Sequence, residues 1–279
     1  MQKCVCLMKK MMEETIRTSS FSGKTYVDGQ AAKEALIRSQ VLINHLHECL
    51  KEQLLGLRVS PLRICPPVGH QKPEMKIVGF FKQKDQDVCV LPQNLRPYPG
   101  AVDWGPLQYE RRIVDRYGKD YSEATIVINV RSQLSSNAKN TDTLFERTLA
   151  EAVNLHMRYP RMVLGEVYLI PVFEYDEQRM KINEVSFVGR SVNLEKYISF
   201  FSAINRRMNE QDGSYKYERV TLLIVDFSQQ TPRIFNQTSE LKKAGLVSQD
   251  FPLELSELSF NHFLQDLIES HHRRFGSEA

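Results

Sequence analysis

The fold is decided by the stretch ATIVINV at residues 124–130 and by two apolar stretches after it, MVLGEVYLIPVF at 162–173 and RVTLLIVDF at 219–227. β-Branched and aromatic residues dominate all three, and such residues favour strands. Nearly every position is apolar, which is typical of strands in a sheet that helices cover on both faces. The sequence therefore predicts three buried strands of one sheet.

Helical patterns alternate with these strands. Residues 141–157 carry an apolar residue at every fourth position, and Thr143 with Glu146 forms a capping-box pattern near their start. Residues 194–208 and 260–271 are two further amphipathic segments. Because strands and helices alternate in this way, we predict an α/β fold with a mixed central sheet flanked by helices.

The chain before these strands is less regular. Residues 1–27 show no clear periodicity, and we interpret them as an N-terminal arm in front of a single α/β domain at 28–279. Asp28 is a suitable N-cap for a helix that runs to about Leu55.

A Pro-rich connection follows this helix at residues 58–75. We expect strands at 76–82 and 87–91, joined by a turn at 83–86, and a short helix at 106–117.

Composition limits the class of protein. The chain has 279 residues, 42% of them hydrophobic and 25% charged, which is globular composition and excludes a disordered chain. The formal net charge of +3 is too small to identify a polyanion partner by itself. Five cysteines without a CxxC pair favour free thiols over a zinc ribbon or a redox pair. No apolar run approaches the ~20 residues of a membrane span, so we expect a soluble, cytoplasmic protein.

Polar residues at the end of the first long strand are the first candidates for chemistry. Asn129 and Arg131 alternate with apolar residues, so their side chains share one face of the strand. Ser132 and Gln133 follow directly. Asp120 precedes the same strand, at a place where a turn also commonly has an Asp.

Three glutamates follow these residues. Glu146 and Glu151 lie on the helix at 141–157, and Glu166 is the one charged residue between Leu164 and Val172. A carboxylate inside a buried strand needs a partner. We therefore expect Glu166 either to pair with an arginine or to be functional, whereas Glu146 has the capping box as a simpler role.

Over residues 103–175 this order resembles the type II restriction endonucleases of the PD-(D/E)xK superfamily. That pattern places an Asp on one strand and an acidic-x-Lys triplet on the next, often followed by Ser-Gln and a helix. The resemblance implies a restriction-endonuclease-like core at about residues 103–228, Mg²⁺ as cofactor, and sequence-specific cleavage of double-stranded DNA. Such an enzyme would act as a homodimer, because two related sites cut a palindrome.

The sequence departs from this pattern at two positions. Asn129 stands at the acidic position, and Arg131 stands at the Lys position. Asn is a poorer Mg²⁺ ligand than a carboxylate, and Arg stays protonated, so it binds a phosphate oxygen but does not act as a base. Three explanations remain open: Glu146 or Glu151 replaces the missing acid, the alignment is shifted by some residues, or the protein binds DNA without cutting it.

The resemblance therefore implies the following site. Its catalytic residues would be Asp120, Asn129, Arg131, Glu146 and Glu151. Its metal ligands would be Asp120, Glu146 and Glu166. Its DNA contacts would come from Gln133, Lys139 and Asn140 after the strand and from Arg63, Lys72 and Arg96 in the loops, since such side chains meet bases and phosphates.

Two other functions stay open. A non-cleaving DNA-binding protein would keep the same fold, and an unrelated α/β protein would have the pattern as architecture only. The sequence has no P-loop, GxGxxG or GxSxG motif, so nucleotide-binding and α/β-hydrolase functions lack support.

Overall fold

The computed structural model describes residues 1–110, 112–134 and 137–276, and for residues 137–140 it describes the backbone alone. The α-helices are α1 (Gln2–Thr18), α2 (Gly29–Arg38), α3 (Val41–Gly56), α4 (Lys119–Glu123), α5 (Asn137–His156), α6 (Glu177–Met180), α7 (Leu194–Ile204), α8 (Thr238–Lys243) and α9 (Phe263–Phe275).

The strands of the main sheet are β3 (Ile64–Cys65), β6 (Val88–Val90), β9 (Ile126–Ser132), β10 (Val163–Pro171), β13 (Arg219–Asp226) and β14 (Arg233–Phe235). The strands of four small two-stranded ribbons are β1 (Ser20–Phe21), β2 (Lys24–Thr25), β4 (Met75–Val78), β5 (Gln83–Gln86), β7 (Gly100–Ala101), β8 (Val114–Asp115), β11 (Phe173–Tyr175) and β12 (Phe187–Ser191).

The main sheet has the strand order β14-β13-β10-β9-β6-β3. Strands β9, β10 and β13 are parallel, and β14, β6 and β3 run antiparallel to their neighbours. Every residue of β10 and β13 is buried, in agreement with the apolar sequences that predicted them. The structure confirms an α/β fold with a mixed central sheet flanked by helices.

Two apolar clusters cover the two faces of this sheet. One face carries Ile128 and Val167 and packs against α1, α3 and α9. The opposite face carries Val127 and Tyr168 and packs against α5 and α7. Gly165 lies on the α9 side, where an added Cβ would come within 2.8 Å of the Phe263 ring, so α9 approaches β10 closely.

The N-terminal prediction is wrong. Residues 1–27 do not form a loose arm, because residues 2–18 are helix α1. One side of α1 carries apolar residues at helical spacing, and these are fully buried in the cluster on the α3 face of the sheet: Val5, Met8, Met12 and Ile16.

Four other element predictions need correction. The expected helix from Asp28 to Leu55 is two helices, because the backbone turns at Gln40, whose φ is 65°. Asp28 does cap α2, since its carboxylate accepts from the Ala31 N–H. Residues 83–86 are strand β5, paired with β4, while β6 belongs to the main sheet. Residues 106–109 form one 3₁₀ turn, and the sheet extends beyond residues 103–228 to β3, β6 and β14.

Candidate functional site

A row of polar side chains crosses the centre of the sheet on the α5 face. Asn129 of β9 pairs with Glu166 of β10 in the parallel register. Asp87 immediately precedes β6, and the antiparallel pairing of Val88 with Ile128 places it beside Asn129. Its carboxylate accepts a hydrogen bond from the Val130 N–H at 2.8 Å. Because cross-strand neighbours point to the same face, Asp87, Asn129 and Glu166 form one continuous row, which we call the polar row.

Arg131 lies beside this row and pairs with Glu166. Its Nε is 2.8 Å from Glu166 Oε1, and the Glu166 side chain is fully buried while 19% of the Arg131 side chain is exposed. The expectation that Glu166 pairs with an arginine is confirmed. Burial lowers the pKa of Arg131, but Glu166, Tyr217, Glu151 and Asp87 together outweigh burial and leave that pKa above its ordinary value.

Burial disfavours the ionised form of Glu166. Burial raises the pKa of its carboxyl to about 7, although Arg131 and Lys84 act in the opposite direction. The negative charges of Asp87 and Glu151 add to the rise. A buried carboxylate with a pKa near neutrality is typical of functional sites.

Glu151 brings a second carboxylate from helix α5. Its side chain is 2% exposed, and its Oε2 lies 2.9 Å from Lys84 Nζ and 3.5 Å from Lys82 Nζ. Both lysines come from the β4–β5 hairpin. The hairpin therefore adds cations to a cluster whose other members lie on β9, β10 and α5.

Several buried polar atoms of the cluster have no hydrogen-bond partner of good geometry within the described part of the chain. These atoms are both amide atoms of Asn129, both carboxylate oxygens of Glu166 and Oε1 of Glu151. The hydroxyl of Tyr217, which lies close to Asn129, donates to the Thr148 carbonyl at 2.8 Å. Burial raises the pKa of Tyr217 well above its usual value, so this hydroxyl keeps its proton. Unsatisfied buried polar groups are costly, and native proteins keep few of them.

The structure brings together four of the residues that the sequence singled out: Asn129, Arg131, Glu151 and Glu166. Asp120 is not among them. It is exposed on α4, which ends before β9 begins, whereas Arg131 lies near the other end of that strand. Its neighbour Glu123 accepts from the Arg161 N–H just before β10, so α4 lies at the starts of the parallel strands, at the opposite end from Arg131. The prediction that Asp120 belongs to this cluster is wrong.

Glu146 also lies outside the cluster. It is exposed on α5, and five residues along a helix turn it about 140° away from Glu151. The helix begins at Asn137, so Thr143 and Glu146 lie within it and form no capping box at its start.

Gln133 has a structural role. Its Oε1 accepts hydrogen bonds from Tyr168 at 3.0 Å and Tyr197 at 2.7 Å, and its side chain is buried. The prediction that Gln133 contacts DNA directly is wrong, since two tyrosine hydroxyls already engage its amide oxygen inside the core. The side chains of Lys139 and Asn140 lie outside the described residues.

The three loop residues expected at DNA differ in setting. Arg63 donates from Nε to the Leu91 carbonyl at 2.6 Å. Lys72 is exposed and pairs with Glu74, and Arg96 is exposed in the loop before β7. Within the described part of the chain, none of the three forms an ion pair with the polar row.

Sequence reasoning missed Asp87 and Lys84. Asp87 lies just before β6 and reaches the site through the pairing of β6 with β9, whereas Lys84 lies within β5 of the hairpin; both are about 40 residues before β9. The available signal was Asp87 itself, at the start of a predicted strand. It was assigned to a hairpin and not to the sheet that carries Asn129.

The expected metal ligands do not converge. Within residues 1–110, 112–134 and 137–276, no three His, Cys, Asp or Glu side chains are grouped so as to hold a metal ion. The carboxylates of the cluster are engaged by Arg131 and the hairpin lysines instead.

Comparison with protein-family models, with curated protein sequences and with solved structures finds no match to this chain. Among the helices that the structure describes, none is long and apolar enough to cross a membrane.

Proposed function

We propose that this chain is a Mg²⁺-dependent DNA endonuclease with a restriction-endonuclease-like core. The observation that supports the proposal is the position of Asp87 beside Asn129 on neighbouring strands, with Arg131 two residues further on. In the superfamily pattern an Asp on one strand faces an acidic-x-Lys triplet on the next, followed by Ser-Gln and a helix. Strand β6, strand β9 with its Ser132-Gln133 end, and helix α5 follow each other in that order, with Asp87 in the place first given to Asp120.

The donor chemistry of the polar row suits Mg²⁺. Asp87, Glu166 and the Asn129 carbonyl offer the hard oxygen atoms that this ion prefers, and the oxygens of Asn129 and Glu166 lack good hydrogen-bond partners. When bound, Mg²⁺ polarises a phosphate and lowers the pKa of an attacking water. Asp87 and Glu166 would hold the ion, and Glu151 would act from α5.

The cations of the cluster have separate roles. Arg131 is partly exposed and keeps its proton, so its guanidinium binds a phosphate oxygen and offsets the charge that builds up there. Lys84 pairs with Glu151 at 2.9 Å and orients its carboxylate. Two chains in a homodimer would cut the two strands of a palindrome.

Binding of DNA without cleavage is the second candidate function. It is favoured by the lack, among the residues described, of three converging ligands. It is also favoured by the ion pair of Arg131 with Glu166, which satisfies part of the carboxylate charge without a metal.

Plasmid DNA incubated with the protein, in Mg²⁺ or in excess chelator, tests the proposal. We expect discrete Mg²⁺-dependent fragments from the wild type and at least about 100-fold slower cleavage by Arg131→Ala and Asp87→Asn. Asp120→Asn is the matched control, because it removes the same charge outside the cluster, and it should cleave like the wild type.

The other outcomes separate the two functions. Salt-sensitive DNA retention without cleavage in any metal would establish the binding function and exclude the nuclease. If the protein neither cleaves nor retains DNA, both proposed functions are overturned. If Asp120→Asn loses cleavage and Asp87→Asn keeps it, Asp120 and not Asp87 occupies the Asp position of the superfamily pattern.

A further inference from the structure

The turn of the β4–β5 hairpin is fixed to helix α5 next to the candidate site. The Asn154 side-chain carbonyl accepts from the N–H groups of Phe81 and Lys82 at 2.9 and 3.1 Å, and its amide donates to the Lys82 carbonyl. The Phe80 N–H donates to the Asn154 backbone carbonyl. An added Cβ on Gly79 would lie 2.2 Å from the Asn154 side chain, so a glycine is needed at the point where the turn meets the helix.

Three aromatic rings are clustered at this turn. Phe80 is half-buried, and its ring centroid lies 5.2 Å from Trp104 and 6.3 Å from Phe81. Phe81 and Trp104 remain 40% and 46% exposed. We call Phe80, Phe81 and Trp104 the aromatic platform. Gly105, with φ of 75°, places Trp104 against Phe80, since a Cβ there would meet the Phe80 ring at 3.0 Å.

The platform lies within one helical turn of the proposed chemistry. Asn154 and Glu151 are three residues apart on α5 and so share a face. Lys82 and Lys84 leave the same turn and both reach Glu151. About half of the Lys82 side chain is exposed, and its contact with Glu151, at 3.5 Å, is long. Exposed aromatic rings and partly exposed lysines therefore lie together at the hairpin turn, beside the cluster.

We propose that the aromatic platform stacks a nucleobase that is not paired in a duplex, while Lys82 contacts an adjoining phosphate. Rings that lie open beside cations are the recurring means of holding single-stranded nucleic acid. The DNA is then a duplex in which a base beside the cleaved phosphate is unpaired or turned out of the stack. This inference rests on the proposed function, because it names the form of DNA that the same cluster acts on.

The chain offers a direct probe, because Trp104 is its only tryptophan. The protein is titrated with a labelled oligothymidylate, and with a fully paired duplex of the same length, in chelator so that no cleavage occurs. Anisotropy of the label measures binding, and emission of Trp104 reports stacking. We expect the single strand to quench Trp104 emission in step with binding and the paired duplex to quench it less.

Phe81→Ala removes half of the stacking surface and keeps the tryptophan. We expect it to bind the single strand roughly 10-fold more weakly than the wild type. Tyr215→Ala, which removes a ring that is 44% exposed on the loop before β13, is the matched control and should bind like the wild type.

Two results overturn the inference while the proposed function stands: binding by anisotropy without any change in Trp104 emission, or wild-type affinity in Phe81→Ala. Absence of binding to either form of DNA at low salt would instead overturn the proposed function on which the inference rests.

Discussion

Two buried glutamates on neighbouring parts of the sheet have opposite surroundings. Glu218, just before β13, accepts from Arg207 at 3.1 Å, from Arg274 at 2.7 Å and from the Leu164 N–H at 2.6 Å. Burial raises its pKa, but His156, Arg274 and the Leu164 N–H outweigh burial and bring that pKa down to about 2.

Glu166 is equally buried but has Arg131 as its one ion-pair partner among the contacts of the described residues, and burial raises its pKa to about 7. Burial alone therefore does not distinguish a structural carboxylate from a functional one. The number of hydrogen-bond donors around the carboxylate distinguishes the two kinds. A carboxylate with all its donors stabilises the fold, whereas one with few donors is open to a ligand.

The largest expected effect comes from neutralising Glu218. Glu218→Gln leaves Arg207 and Arg274 without a buried counter-charge, and we expect the free energy of unfolding to fall by about 3–5 kcal/mol. Urea denaturation at neutral pH measures it.

Glu166→Gln is the matched variant. It removes a carboxylate that is unfavourably charged at neutral pH and loses one ion pair, so the free energy of unfolding should fall by no more than about 1 kcal/mol and can rise. Equal losses in the two variants would show that the two glutamates are alike.

The dependence of stability on pH should have opposite signs for the two residues. Because the pKa of Glu166 is raised from 4.5 to about 7, its favourable contribution is complete below pH 4.5 and is lost as the pH rises to about 7. The pKa of Glu218 is lowered to about 2, so its contribution is present above pH 4.5 and is lost as the pH falls towards 2. Each contribution is about 3 kcal/mol.

Denaturation of the wild type and of Glu166→Gln across this range checks the sign. The variant should lose the fall in stability between pH 4.5 and 7. An unchanged slope would assign that fall to other groups.

The strands that carry this comparison were predictable, and the partners of their charged residues were not. ATIVINV and RVTLLIVDF predicted β9 and β13 because buried parallel strands are apolar throughout. The polar residues Asn129 and Glu166 were visible as exceptions in ATIVINV and in MVLGEVYLIPVF. Asp87 was not visible as their neighbour, because strand pairing over 40 residues depends on register, which local sequence does not encode.

Helix α1 was missed for a different reason. Its apolar positions mix methionines with cysteines, Val and Ile among lysines, a composition that was taken for an arm although Val5, Met8 and Met12 recur at helical spacing. Asp120 attracted attention because it precedes β9 in the chain, but chain proximity placed it at the wrong end of the strand.

The smallest expected effect separates the two hairpin lysines. Lys84 lies 2.9 Å from Glu151 and is 31% exposed, whereas Lys82 lies 3.5 Å away and is 46% exposed. Lys84→Ala should therefore lower the free energy of unfolding by about 1–2 kcal/mol, and Lys82→Ala by no more than about 0.5 kcal/mol. A larger loss for Lys82→Ala in thermal denaturation would mean that Lys82 supports the fold and is not free to meet a phosphate.

Helix α1 makes the fold sensitive to the loss of residues 1–10. A chain without them would lack Val5 and Met8, whose side chains are fully buried against α3. Such a chain would present an uncovered apolar face to chaperones and proteases, which remove destabilised proteins. Its abundance in the cell would therefore fall well below that of the chain that carries the whole of α1.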